Sequence, residues 1–192
     1  MMNDYLKKGS GIRKIAFVGN YLPRQCGIAT FTTDLRTSVA THFPKVECFT
    51  VPVNDIEGGY DYPKEVRFEI EEQDLGSYHR AADFLSISDV DVVCVQHEFG
   101  IFGGLAGGHV LALLRELHLP IVPTLHTVLK NPNPEQKRVM QELIQLSTRM
   151  VVMSEKGMEG KRTLLTFGLL SPNKGIETVF LTACQTVPSV LP

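Results

Sequence analysis

The sequence predicts an α/β fold: a doubly wound parallel sheet with helices packed on it. Two observations carry this. Short, continuously apolar runs recur along the chain, as strands buried on both faces do, and amphipathic segments of helical spacing stand between most of them. Parallel neighbours need a long crossover, which a helix supplies, so the alternation itself argues for a parallel sheet.

The first run, residues 14–19, is continuously apolar from Ile15 to Val18 and reads as a strand. After a loop with Pro23 and Gly27, the residues Ile28, Phe31, Leu35 and Val39 form one apolar helix stripe. Residues 46–53 are the second strand candidate. Val66, Phe68 and Ile70 alternate with charged residues, as in a half-exposed strand, and residues 54–64, with Gly58, Gly59 and Pro63, join the two. Residues 74–87 read as a helix and 91–96 as another doubly buried strand. The loop that follows runs His97, Glu98, Phe99, Gly100, Ile101, Phe102, Gly103, Gly104. Residues 105–117 are helical by spacing, 121–125 a strand, 134–147 a helix opened by Pro134, and 149–154 a further strand. Only residues 155–162 separate that strand from the apolar run at 163–167. A parallel crossover takes about ten residues or more, so an abbreviated connection is expected there.

Composition narrows the function. With 43% hydrophobic and 21% charged residues the chain has the apolar content of a folded globular protein, which excludes dominant disorder. Lys plus Arg number 19 against 21 for Asp plus Glu, so the net charge of -2 makes no electrostatic case for nucleic acid or an anionic membrane. Cys26, Cys48, Cys94 and Cys184 form no C-x-x-C pair, which fits a reducing, cytoplasmic setting and offers neither a disulfide framework nor a zinc site. Lys7 and Lys8 lead into Gly9, Ser10 and Gly11 rather than an apolar segment, so no secretory signal is read. The most apolar stretch, 105–114, is interrupted by Gly107, Gly108 and His109 and falls far short of the roughly 20 residues of a membrane span. Contact with a membrane surface stays open, and the oligomeric state is not legible.

In an open parallel sheet, ligands bind beyond the carboxyl ends of the strands. Those ends carry Asn20, then Gln96, His97 and Glu98, then His126 and Thr127, then Ser154 and Glu155. Strand ends are polar wherever they meet water, but several reactive side chains on one edge favour a site. Gly27, just before a helix, is either plain turn chemistry or a place where a phosphate or sugar approaches free helix amides. Gly103 and Gly104 mean either close packing or backbone pressed against a ligand. The H-E-x-x-H spacing fails, because Ile101 takes the last position, so no metal is expected. There is no G-x-G-x-x-G, P-loop or G-x-S-x-G motif. His42, His79 and His118 lie away from these ends. Near the end of the chain, Lys174 and Gly175 stand at a helix entrance after Ser171, Pro172 and Asn173. A lysine there opposes the helix dipole unless an anion such as a diphosphate offsets it.

Residues 168–175 resemble the G-R-L-x-x-x-K-G motif of GT-B glycosyltransferases of the family 4 type, with Leu169 where the motif has arginine. Residues 23–35, 96–104, 125–129 and 151–155 resemble, in the same order, the N-terminal domain of a mannosyltransferase-like branch. The resemblance implies a Rossmann-like domain at 12–156 behind a flexible N-terminus at 1–11, an abbreviated linker at 157–162 and a remnant of a second domain at 163–192. It further implies a nucleotide-sugar donor and a sugar or other hydroxyl acceptor as partners, with neither cofactor nor metal. His126 would reach the transferred sugar, and Gly27, Lys174 and Gly175 would hold the donor phosphates. Asn20, Gln96, His97, Glu98, Gly103, Gly104, Ser154 and Glu155 would line the cleft. Nothing acidic follows Glu177, so the family's pair of glutamates has no counterpart, and the chain reads as internally deleted and truncated, with activity impaired. The competing expectation is a non-catalytic α/β module that binds a sugar, a nucleotide or a partner protein.

Overall fold

The computed structural model describes residues 11–152 and 163–165. Its elements are β1 (Lys14–Gly19), α1 (Gly27–His42), β2 (Glu47–Asn54), β3 (Ile70–Glu71), α2 (Leu75–Ile87), β4 (Val92–His97), α3 (Val110–Glu116), β5 (Ile121–Leu125), α4 (Pro134–Leu146), β6 (Met150–Val152) and β7 (Thr163–Leu165). The seven strands form one sheet in the order β3-β2-β1-β4-β5-β6-β7, every pair parallel. The chain winds outward from β1 to β3, returns to the middle, and winds outward the other way from β4. This is the doubly wound α/β sheet that the sequence predicts, with its switch point between β1 and β4. The expected flexible N-terminus and abbreviated linker lie outside the described residues, except for Gly11. Of the run at 163–167, Thr163–Leu165 is described, and it pairs with β6.

Both faces of the sheet are buried, as continuous apolar runs require. On β4, Val93 and Val95 join a core with Tyr78, Leu85, Leu111 and Leu143 from α2, α3 and α4, while Val92 and Cys94 join Phe17, Leu35 and Val39 under α1. Local capping places the helix starts. The Asp74 carboxylate accepts the Gly76 amide at 2.9 Å, and Asn133 and Gln136 satisfy each other's backbone N–H in a capping box behind Pro134. At α1 the cap is a thiol: Cys26 Sγ accepts the Ala29 amide at 3.3 Å.

Two expected elements are shorter than their sequence patterns suggest. The alternation at Val66, Phe68 and Ile70 yields only the two residues of β3, plus one bridge from Val66 to Thr50. The reason is Pro52. Thr50 bonds outward through both its N–H and its C=O, to Glu65 and Arg67, and Asn54 accepts the Glu72 amide on the same side. Pro52, between them on that side, has no N–H to give, so the ladder breaks opposite it. The helix expected over 105–117 is likewise divided. Ala106 and Gly107 have φ of 51° and 74°, a left-handed step that ends a single 3-10 turn at Leu105–Gly107 before α3 begins at Val110.

Gly103 is a packing residue. Its amide donates to the Tyr78 hydroxyl at 3.0 Å, and a Cβ added to it would fall on the Glu72 carbonyl. Gly103→Ala should therefore lower unfolding free energy by about 1–3 kcal/mol in urea at neutral pH, as overpacking does. Gly27→Ala, where an added Cβ meets nothing within 4 Å, should shift it by less than about 1 kcal/mol. Equal effects would contradict this packing account.

Candidate functional site

The ends of β1, β4 and β5 meet at the switch point. Gly19, the last residue of β1, lies so close to Gln96 that a Cβ at 19 would sit 2.8 Å from the Gln96 Cβ. Without that Cβ, the Gln96 side chain has room to reach β5, where its Oε1 lies 3.0 Å from Nε2 of His126. The His126 amide donates to the His97 carbonyl at 3.0 Å, so the two histidines share one edge, as their positions in the sequence imply. Phe31, from α1, meets the His126 ring edge-on at 4.6 Å between centroids. The imidazole is thus wedged between a helix and a strand end.

The loop after β1 is tied down from within. Buried Asn20 donates through Nδ2 to Cys26 Sγ at 3.4 Å and accepts from Arg24 at 3.2 Å. Arg24 also donates to the Val53 carbonyl at 3.1 Å and pairs with Asp55 at 3.1 Å, linking the ends of β1 and β2. Gly27 opens α1 at the surface with clear space before it. Across the site, Glu98 accepts the Phe99 amide at 3.0 Å through one oxygen and the Thr127 hydroxyl through the other.

Several expected cleft-lining residues lie deeper than a wall would. Gln96 and His97 have no exposed surface. His97 sits in the aromatic corner of Phe99, edge-on at 5.1 Å, and Phe102, stacked at 6.1 Å. Neither of its ring nitrogens has a hydrogen-bond partner, nor does the Gln96 Nε2. Gly103 is buried against α2, and a Cβ at exposed Gly104 would meet the His109 ring at 2.5 Å. This glycine pair serves close packing, one of the two roles its sequence allows. Ser154, Glu155, Lys174 and Gly175 lie outside the described residues.

Thr127, a strand-end residue in the sequence, takes part in the site, and so do Arg24 and Phe31, which the sequence did not single out for it. Arg24 carried a signal, being a cation in the loop before a helix on a sheet of this kind. The contact of Phe31 with His126 depends on tertiary placement and had none. Among the described residues no group of three or more His, Cys, Asp and Glu is placed to hold a metal ion, and no helix is long and apolar enough to cross a membrane.

Burial drives both histidines toward neutrality. His97 is lowered to about 4, first by desolvation and then by the neighbouring His126. His126 is also lowered to about 4 by desolvation, with the Glu98 carboxylate acting weakly in the opposite direction. At neutral pH the site offers imidazoles, not imidazolium ions.

No protein-family model and no curated protein sequence matches the chain. Solved structures do. An α-glucosyltransferase in complex with UDP and a 13-mer DNA containing a central A:G mismatch superposes with a TM-score of 0.55 at 15% identity, over 79% of this chain and 40% of that one. The likeness is one of fold, a Rossmann-like parallel α/β domain of the GT-B kind. MurG of Acinetobacter baumannii gives 0.52 at 11% identity over 83% of this chain and 46% of its own, and a second α-glucosyltransferase structure, with UDP, gives 0.50 at 14% over 74% and 35%. The chain spans less than half the length of each of these GT-B proteins.

The histidine shifts set a pH dependence. Unfolded, both rings titrate near 6.5, and folded, near 4, so between those values the unfolded chain binds protons that the folded chain does not. Their contribution is complete above about 6.5 and is lost as pH falls toward 4. The urea midpoint should drop across that window, and His97→Leu should flatten the slope. An unchanged slope in that variant would contradict a buried, neutral His97.

Proposed function

We propose that this chain is a domain of a glycosyltransferase that moves a sugar from a nucleotide-sugar donor to a hydroxyl acceptor, and that its switch-point edge receives the sugar. The observation that supports this most directly is His126. It is a neutral imidazole, half-buried and braced by Phe31 and Gln96, at the place where an open α/β sheet binds ligands. A neutral ring can accept from or donate to a sugar hydroxyl without the desolvation cost of a buried charge.

The division of roles follows the sequence resemblance. As the bond from the sugar carbon to the diphosphate breaks, charge develops on the leaving phosphates, and aimed cations and amides stabilise it. Lys174 and the amides at Gly175 and Gly27 are the groups assigned to that task, with no metal required. Within this reading the sugar is mannose, after the branch that the sequence resembles. Turnover by this chain as it stands is weak, since Leu169 replaces the motif's arginine. A second reading, a module that binds without turnover, draws support from Arg24, a cation of the β1 loop that is committed to Asp55.

Calorimetric titration of the chain with UDP, GDP and ADP and their hexose conjugates tests the proposal. One nucleotide series should bind. His126→Ala should weaken the conjugate by about fivefold, roughly one neutral hydrogen bond, while leaving the bare nucleoside diphosphate unaffected. Released nucleoside diphosphate should stay near the no-enzyme control. No binding at millimolar ligand, or equal loss for conjugate and diphosphate, would refute the assignment of His126 to the sugar.

A further inference from the structure

The contact between Gln96 and His126 has a chemical direction. In the orientation that the Gln96 carboxamide takes, Oε1 lies 3.0 Å from His126 Nε2, and since a carboxamide oxygen accepts and never donates, this orientation goes with the proton on Nε2. The ring then keeps Nδ1 as a lone-pair acceptor, and Nδ1 has no hydrogen-bond partner among the described residues. Gln96 itself has little freedom. It is wholly buried, and its Cβ and Cγ lie 2.8 and 3.4 Å from where a Gly19 side chain would begin. Phe31 packs edge-on against the imidazole at 4.6 Å between centroids and offers no hydrogen bond to choose a tautomer. The charged group at this strand end is Glu98, whose oxygens are engaged by the Phe99 amide and the Thr127 hydroxyl, and buried His97 lies beside it.

We propose that Gln96 is a positioning residue for His126: through the gap left by Gly19 it locks the imidazole in the Nε2–H form and turns Nδ1 outward, as an acceptor for one hydroxyl of the bound ligand. Gly19, Gln96 and His126 act as one relay across the ends of three strands. The choice of ligand group follows from the tautomer, because an Nδ1 acceptor selects a donor such as a sugar hydroxyl and disfavours a phosphate oxygen, which can only accept at neutral pH. This last step rests on the proposed sugar-transfer reading. The locked tautomer does not.

The test is nitrogen-15 NMR on the full chain labelled at histidine, at neutral pH and without ligand. The His126 ring should show its proton on Nε2, exchanging slowly enough with water to be observed. Gln96→Leu should speed that exchange by about fivefold to tenfold, the protection worth one neutral hydrogen bond. Gln96→Glu, which keeps an acceptor at the same reach, should restore the protection. Gly19→Ala, with Gln96 intact but displaced, should behave like Gln96→Leu and decides the matter where Gln96→Leu does not fold. A proton on Nδ1 in the unmodified chain, or unchanged exchange in Gly19→Ala, would overturn the proposal. Nucleotide-sugar binding is measured on the same samples. Its absence beside an intact Nε2–H signal would refute the sugar-transfer reading and leave the positioning role standing, whereas binding with the wrong tautomer would do the reverse.

Discussion

Everything at the site depends on how closely β1 approaches β4. These strands are neighbours in the sheet but not in sequence, and the chain leaves them in opposite directions, so their loops part and open a crevice. Polar groups at that crevice must cross from one strand to the next to find partners, and crossing needs space. Gly19 supplies it by lacking a side chain where Gln96 passes. A larger residue at 19 would meet the Gln96 Cβ at 2.8 Å and push that side chain from its place beside His126. The sheet sets where the edge lies, and this one absent methyl group lets its side chains act together.

The polar atoms beneath the edge carry a cost. The two ring nitrogens of His97 and the Gln96 Nε2 are buried without partners, and an orphaned polar group costs about 1–3 kcal/mol. Aromatic packing of His97 on Phe99 and Phe102 offsets part of this, at about 0.5–1.5 kcal/mol per contact. The balance is bearable only while the ring is neutral, since a buried charge without a counter-ion costs several times more. Neutrality of His97 thus follows from its burial, and a neutral neighbour in turn removes charge repulsion from His126. An edge built this way is suited to hydrogen bonding rather than to holding charge.

Much of the fold was legible because continuous apolar runs and helix stripes are local patterns. The strands at 14–19 and 121–125 have the bounds that their sequence suggests. The shortfall at β3 came from Pro52, a residue visible in the sequence whose effect depends on which side of β2 its missing N–H faces. That side is set by the register of β1 with β2, a tertiary fact. The split before α3 turned on left-handed Ala106 and Gly107, which no apolar spacing records. At the site, the sequence identified the strand-end residues but not their depth. Gln96 and His97 follow an apolar run, and nothing in their neighbours distinguishes a polar side chain facing a cleft from one covered by aromatic rings from its own loop.

Charge is the quantity this edge withholds. Arg24, at the end of β1, spends its guanidinium on Asp55, Asn20 and the Val53 carbonyl, stitching two strand ends together. Glu98 is committed to a backbone amide and a hydroxyl. What faces outward is a neutral imidazole, the clear amino end of α1, and the exposed apolar side chains of Leu22, Ile56, Leu105, Val128 and Leu129 on the loops around them. Such an edge is suited to orienting a polar, uncharged group and to being covered by another apolar surface. Within the proposed sugar transfer, the charge that stabilises the leaving phosphates would come from a cation other than Arg24, whose guanidinium is engaged by Asp55. In that proposal the sequence assigns the leaving group to Lys174, and the neutral edge at His126 is left with the task of orienting the sugar through hydrogen bonds rather than charge.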